Sequence, residues 1–253
     1  MENKTAIVTG ATSGIGRATA LLFADGGVNV AAVGRNQAEL DKLEAEAAGL
    51  PGNIFTIRAD VANESGVDFI VHEAFAEFGS IDILVNAAGI LTSGNIEDTS
   101  PEAWDHMMNV NTRAVFLLMQ KCAPYLIRSK GNIVNVSSVT GTRAFPNVLA
   151  YCVSKAALDQ LTRCAALELA PKGVRVNAVN PGVIVTNLHK NGGMGAEAYE
   201  KFLEHSKTTH PLGRPGTAQE VAELIAFLAW DKAGWITGAT YEIDGGRAQT
   251  CAR

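Results

Sequence analysis

Three side chains define the chemistry open to this sequence: the hydroxyl of Ser138, the phenol of Tyr151 and the ammonium of Lys155. Tyr151 and Lys155 are four residues apart, so on a helix they share one face, one turn apart. A helix-like segment from near Ala150 to about Ala170 carries them, after a loop holding Gly141 and Pro146. Before that loop, the apolar run Ile133-Val134-Asn135-Val136 reads as a buried strand ending at Ser137-Ser138. The loop is long enough to fold back, so the trio can meet at the carboxyl end of a strand, where open α/β sheets bind ligands. A phenol titrates near pH ~10. A lysine held close favours the phenolate and lowers that value, making the tyrosine a usable acid or base. Ser138 can then donate a hydrogen bond to a substrate oxygen and steady the charge that develops there. Tyrosine–lysine pairs at this spacing also occur as ordinary solvent-facing pairs, so the trio needs a cofactor site elsewhere in the chain.

The elements that must position it supply one. Residues 4–9 (KTAIVT) read as a short buried strand. Gly10-Ala11-Thr12-Ser13-Gly14-Ile15-Gly16 follows, then a helical stretch with Ile15, Ala18, Leu22 and Phe23 on one face. A strand, a glycine turn and a helix N-terminus together present backbone N–H groups to a phosphate. The spacing is G-x-x-x-G-x-G rather than the commoner G-x-G-x-x-G. Val28–Val33 is a second strand ending in Gly34-Arg35-Asn36, where a dinucleotide fold meets the adenosine ribose. An acid there binds a free 2′-hydroxyl and an arginine accommodates a 2′-phosphate, so Arg35 points to NADP(H).

Further along, residues 37–48 read as helix, 53–59 as a strand ending in Asp60-Val61, and 63–78 as helix. A fourth strand, Ile81–Val85, precedes Asn86-Ala87-Ala88-Gly89, whose small residues suit close approach of a flat ring. One long helix is expected from Pro101 to about Arg128, with Asn111 inside it as a hydrogen-bonded core amide. The helix from Tyr151 to Leu169 is apolar nearly all round, which implies burial on two sides, one against the sheet and one against a second subunit. A sixth strand, Arg175–Val179, leads into Asn180-Pro181-Gly182-Val183-Ile184-Val185-Thr186. The glycine-rich insertion at about 187–215, with a short amphipathic helix near Ala196–Ser206, is expected to act as a substrate lid. A helix over 217–230 and a last strand over 239–243, before Asp244-Gly245-Gly246, complete the chain. This alternation implies an α/β fold: a parallel sheet with helices on both faces.

Composition narrows the function classes. At 253 residues, with 47% hydrophobic and 19% charged, residues 1–253 read as one domain with a large core. A formal net charge of -5 argues against nucleic acid as a partner. No apolar run reaches membrane-spanning length, and the opening MENKTAIVTG turns into a strand at once, leaving no room for a secretory signal. Cys122, Cys152, Cys164 and Cys251 lack C-x-x-C spacing, and the five histidines form no i,i+4 pair, so no metal site is expected. A reducing, cytoplasmic compartment is the natural setting.

Together these motifs resemble the short-chain dehydrogenase/reductase family in its short single-domain form, over essentially the whole chain and in the right order. Thr9-Gly10 through Gly16 is similar to its cofactor turn T-G-x-x-x-G-x-G, and Asn86-Ala87-Ala88-Gly89 to its N-N-A-G, with Ala87 in place of the second asparagine. Asn111, Ser138, Tyr151 and Lys155 fall at the positions of its catalytic tetrad. The resemblance implies a Rossmann-type doubly wound, seven-stranded, mostly parallel sheet. It implies hydride transfer from a nicotinamide to a ketone, with Tyr151 giving the proton, Lys155 binding the nicotinamide ribose and Ser138 orienting the carbonyl. It gives Asn111 a different part, bending its helix and holding a water in a proton relay to the lysine. Asp60, with Val61 beside it, would meet the adenine; Pro181, Gly182, Ile184 and Thr186 would hold the carboxamide. The turn residues Gly10, Thr12, Ser13, Gly14, Ile15 and Gly16 would take the pyrophosphate, and Arg35 the 2′-phosphate with help from Thr12 and Asn36. Ser13 stands where many NADPH-preferring relatives carry a basic residue, so NADP(H) is the preferred cofactor and NAD(H) a possible one. The small-molecule carbonyl or alcohol substrate would sit among Phe145, Val148, Leu149, Val183, Leu188, Met194 and Phe202, an apolar lining better suited to a hydrophobic ketone than to a phosphorylated sugar. The family's usual homotetramer would be built on helices 101–128 and 151–169. An NAD-dependent alcohol, sugar or steroid dehydrogenase, or a non-catalytic NADP-binding regulator, are the alternatives; the intact tetrad argues against the regulator.

Overall fold

The structure, a computed structural model, describes residues 4–250; Cys251 lies outside them. Strands and helices alternate as expected: β1 (Thr5–Thr9), α1 (Gly14–Asp25), β2 (Asn29–Gly34), α2 (Gln37–Glu46), β3 (Ile54–Arg58), α3 (Glu64–Phe78) and β4 (Ile83–Asn86). They continue through α4 (Pro101–Met108), α5 (Ala114–Ser129), β5 (Asn132–Val136), α6 (Leu149–Leu169) and β6 (Arg175–Pro181). The chain then forms α7 (Leu188–Asn191), α8 (Ala196–Thr209), α9 (Ala218–Ala229) and β7 (Thr240–Ile243). The seven strands form one sheet in the order β3-β2-β1-β4-β5-β6-β7, and every pairing is parallel.

Side chains alternate across this sheet with period two. Ile7, Leu84 and Ile133 point to the face covered by α3, α5 and α6, where Ile70, Leu118, Leu126 and Leu158 pack. Their neighbours Val8, Ile83, Val85 and Val134 point to the opposite face, against Phe23 of α1 and Val221, Ile225 and Leu228 of α9. Burial on both faces is why the strand segments read as continuous apolar runs rather than as alternating ones. Strand order reverses between β1 and β4, and the crevice at their carboxyl ends is where such a sheet takes a ligand.

The long helix expected over 101–128 is two helices joined by a π turn at Asn109–Arg113. Extra residues in such a turn break the helical repeat and commonly mark a functional position; Asn111 lies within this one. Strand β6 runs on to Pro181, beyond the expected end at Val179, because Asn180 and Pro181 pair with Glu242 and Ile243 of β7. Within 187–215, α8 extends to Thr209, and the short α7 precedes it. Tyr199 ties α8 down: its hydroxyl donates to Thr186 O at 2.8 Å and accepts from Thr186 N at 3.2 Å.

Candidate active site

The trio is positioned by three local devices. Ser138 leaves β5 in extended backbone and its hydroxyl accepts from Thr140 N at 3.2 Å, starting a 3-10 turn at Val139–Gly141. Asn147 takes a left-handed φ of 62°, a conformation asparagine tolerates better than most residues, and so turns the chain into α6. Its carbonyl accepts from Gly94 N, and Leu149 N donates to Gly94 O, which fixes the entry to α6. Tyr151 and Lys155 then lie on the buried face of α6, 6% and 4% exposed.

The electrostatics differ from the expectation. Burial pushes the Tyr151 phenol up to about 12, with the Ser138 hydroxyl opposing by hydrogen bonding. The lysine is not among the groups that lower it. Lys155 points its Nζ to Val136 O at 2.8 Å and stands 5.7 Å from the tyrosine ring centroid. Burial also pulls Lys155 down to about 8, against the pull of Asp159 one turn further along α6. Taking both groups out of water disfavours phenolate and ammonium alike, and here that outweighs their attraction. In this state Tyr151 is a protonated acid.

Asn111 is 1% exposed. Its Oδ1 accepts from Ile90 N at 2.9 Å, and its Nδ2 donates to Ile90 O at 2.9 Å and to Ser154 Oγ at 3.1 Å. Both readings of this residue thus touch the observed geometry: the amide is fully hydrogen-bonded in the core, and it sits in a helix break. A Cβ built on Gly89 would lie 3.4 Å from Asn111 Oδ1 and 3.6 Å from Lys155 Nζ, so the two groups flank one glycine.

A cleft of about 680 Å³ runs over the carboxyl ends of the strands, a volume usual for a ligand site. It brings together the glycine turn, Arg35, Asp60, Val61, Ala87 and Gly89 at one end. At the other it holds Ser138, Tyr151 and Lys155, with Phe145, Val148, Val183 and Leu188 around them. Pro181, Gly182, Ile184 and Thr186 lie between, and Met194 and Phe202 reach in from the 187–215 segment. Four of the expected residues stay outside the lining. Asn36 caps α2, its Oδ1 accepting from Glu39 N at 3.4 Å, which orients the amide toward that helix and away from the cleft lining while leaving Nδ2 free to donate. Asn86 is buried and donates to Asn135 Oδ1 at 2.8 Å, its side chain directed into the sheet rather than the cleft. Asn111 is turned to Ile90 and Ser154, and Leu149 is not part of the wall.

The glycine turn fits an anionic phosphate. Ser13, the N-cap of α1, makes no side-chain capping bond, so no side chain claims the leading amides of that helix. Gly14 has a φ of 53°, and a Cβ there would stand 3.0 Å from Thr186 Cγ2, closing the gap between the turn and the opposite wall. Thr9 braces the far side, its hydroxyl accepting from Ala87 N and Ala88 N at 3.1 Å each. Arg35 is exposed at the rim and makes no ion pair or side-chain hydrogen bond among the described residues. No three-membered His/Cys/Asp/Glu group suited to a metal occurs among the described residues, and none of their helices is long and apolar enough to cross a membrane.

Sequence reasoning missed several wall residues. His189 and His205 line the cleft from α7 and α8, and Arg247 lines it from the turn after β7. Asp159, 1% exposed and accepting from Asn180 Nδ2 at 2.8 Å, lies beneath Lys155. Only Asp159 left a legible signal, an acid one helical turn after Lys155 on the same face.

Residues 10–248 match the family model described as enoyl-(acyl carrier protein) reductase. A 3-oxoacyl-(acyl-carrier-protein) reductase of Thermotoga maritima is 41% identical over 247 residues, 97% of this chain and 98% of that protein. A cyclohexanol dehydrogenase of an Acinetobacter strain is 37% identical, covering 96% and 94%. Among solved structures, a short-chain dehydrogenase/reductase of unknown function from Caenorhabditis elegans superposes with a TM-score of 0.93 at 38% identity, covering 99% of this chain and 97% of that one. The aldohexose dehydrogenase of Thermoplasma acidophilum gives 0.87 at 36% identity, covering 100% and 96%. The doubly wound sheet, the family model and these full-length relatives agree: the chain belongs to the short-chain dehydrogenase/reductase family and is an oxidoreductase.

Proposed function

We propose that this protein is an NADPH-dependent reductase that converts a ketone to a secondary alcohol. The observation that carries the reading is the convergence of Ser138, Tyr151 and Lys155 on the cleft that also holds the glycine turn and Arg35. The leading amides of α1 would receive the pyrophosphate. Arg35 would pair with the 2′-phosphate through charge-assisted hydrogen bonds, which a free 2′-hydroxyl could not match. When bound, the dinucleotide supplies the hydride.

Tyr151, held protonated by burial, donates its proton to the carbonyl oxygen as negative charge grows there. Ser138 bonds to the same oxygen and orients it. Lys155, anchored on Val136 O, keeps a cation within 5.7 Å of the tyrosine ring and steadies the phenolate left behind. Asn111 fixes the Ile90 backbone that walls the cleft beside Lys155. Val148, Val183, Leu188 and the residues reaching in from 187–215, which we read as a lid, would keep water from the reacting carbon. The protein would act as a homotetramer, a reading supported by the apolar side chains left exposed on α5 and α6: Phe116 (44%), Val153 (39%) and Leu167 (80%).

The test is the initial rate of NADPH and of NADH oxidation against a panel of ketones, oxo acids and oxo esters. Turnover with NADPH at least tenfold faster than with NADH supports the assignment. NADH-only turnover, or binding of NADPH without any turnover, would reject it.

A further inference from the structure

The substrate end of the cleft combines apolar walls with uncharged polar groups and two histidines, and among the described residues it holds one arginine, Arg247. Arg247 follows β7 and opens a 3-10 turn at Arg247–Gln249, which places its side chain in the cleft wall. Its guanidinium lies over the Phe145 ring, 5.2 Å from the centroid. Phe145 in turn packs beside the start of α6, its carbonyl oxygen 4.0 Å from Cys152 Sγ, next to Tyr151. Phe145, Arg247 and the proposed proton donor Tyr151 line the same cleft.

A guanidinium carries five N–H donors in a planar fork. In Arg247 only Nη1 is engaged, by two long bonds of 3.4 Å to Thr209 O and Thr250 Oγ1. Nε and Nη2, the edge that pairs with a carboxylate through two parallel bonds, have no partner among the described residues. No carboxylate lies within ion-pair distance of Arg247 among those residues either. Asp244, three positions earlier, bonds to the amides of Gly246 and Ala248 instead. The contact with Phe145 helps to fix the guanidinium, and the residue lines the cleft. Among the described residues, then, the fork of Arg247 keeps Nε and Nη2 unfilled at the cleft wall.

Resting on the reading of this cleft as the site of carbonyl reduction, we propose that Arg247 is a specificity residue that binds a carboxylate carried by the substrate itself, so that the preferred substrates are oxo acids. One planar cation matches one planar monoanion; a dianionic phosphate would leave a charge without a partner. His189, on α7, has an Nδ1 without a partner among the described residues and is held below its ordinary pKa by burial, so it adds a hydrogen-bonding edge and no second charge. The walls of Val148, Val183 and Leu188 take the hydrocarbon between the two polar ends.

The experiment uses 2-oxo-, 3-oxo- and 4-oxopentanoate, each beside its methyl ester. Binding to the dinucleotide-loaded protein is measured by calorimetry, and KM and kcat by NADPH oxidation. The wild type is expected to bind at least one acid about ten- to hundredfold more tightly than its ester, the range of a charge-assisted pair. Arg247→Met should collapse that acid-to-ester ratio towards one through KM rather than kcat. Arg247→Lys should restore only part of it, since an ammonium lacks the fork. Equal binding of acid and ester by the wild type at every chain length overturns the proposal without needing any variant, and so does an unchanged ratio in Arg247→Met. A wild type that binds the acids selectively yet reduces no ketone would reject the reductase reading and leave the carboxylate site standing.

Discussion

Among the described residues Arg35 is the only basic side chain lining the ribose end of the cleft, with the uncharged Ser13 in the turn and the uncharged Asn36 capping α2. Its loss should therefore be felt without compensation. Arg35→Asp is expected to lower kcat/KM for NADPH about ten- to hundredfold and to raise that for NADH, measured side by side. A preference left unchanged would remove Arg35 from the assignment. The titrations of Tyr151 and Lys155 carry a second consequence at this scale. With the phenol at about 12 and the ammonium at about 8, the tyrosine still holds its proton where the lysine begins to lose its own. The kcat/KM for reduction, which reports the free enzyme, should fall above about pH 8 as Lys155 becomes neutral. A profile flat to pH 10 would contradict the low lysine value. The spacing of Tyr151 and Lys155 was legible in the sequence because a helix converts four residues into one turn. The direction of the tyrosine shift was not, because it depends on how completely the folded chain removes both groups from water. Arg247 was hidden for a similar reason: only the fold brings residue 247 over Phe145, and no periodicity encodes that.

At the scale of elements, strand and helix positions were largely readable, since runs buried on both faces and helices with one apolar face have distinct patterns. The π turn was not. The apolar positions on either side of it kept an acceptable helical period, and the polar Asn111 looked like a buried amide in an unbroken helix. The break coincides with a tertiary contact, the pairing of Asn111 with both backbone groups of Ile90. Asn111→Leu should therefore remove the side-chain partner of Ile90 N–H and C=O and, because Ile90 is half-buried at the cleft, cost about 1 kcal/mol per lost bond. The expected readout is a lower urea midpoint with an unchanged slope. Wild-type stability in that variant would show the Ile90 bonds to be dispensable. Asn36 and Asn86 teach the opposite lesson: each sits at the motif position expected of it, but local geometry gives its side chain another partner.

For the molecule as a whole, α6 is expected to be covered on two sides; in the single chain its outer face is exposed, with Val153 and Leu167 beside the polar Gln160, Arg163 and Glu168. Phe116 is exposed on the neighbouring α5. Sedimentation equilibrium should find the wild type as a tetramer at micromolar concentration. Val153→Glu combined with Leu167→Glu should shift it to smaller species by placing buried charge in the interface. A monomeric wild type would contradict the assembly.

The central claim, that Tyr151 delivers the proton in a dinucleotide-dependent reduction, is tested most directly by Tyr151→Phe. One sample is titrated with NADPH by fluorescence and assayed for ketone reduction. Removing only the hydroxyl should leave the dinucleotide Kd within about threefold and lower kcat about 10²–10⁴-fold, the usual worth of a positioned general acid. Turnover of the Phe variant within a few-fold of wild type would contradict the mechanism.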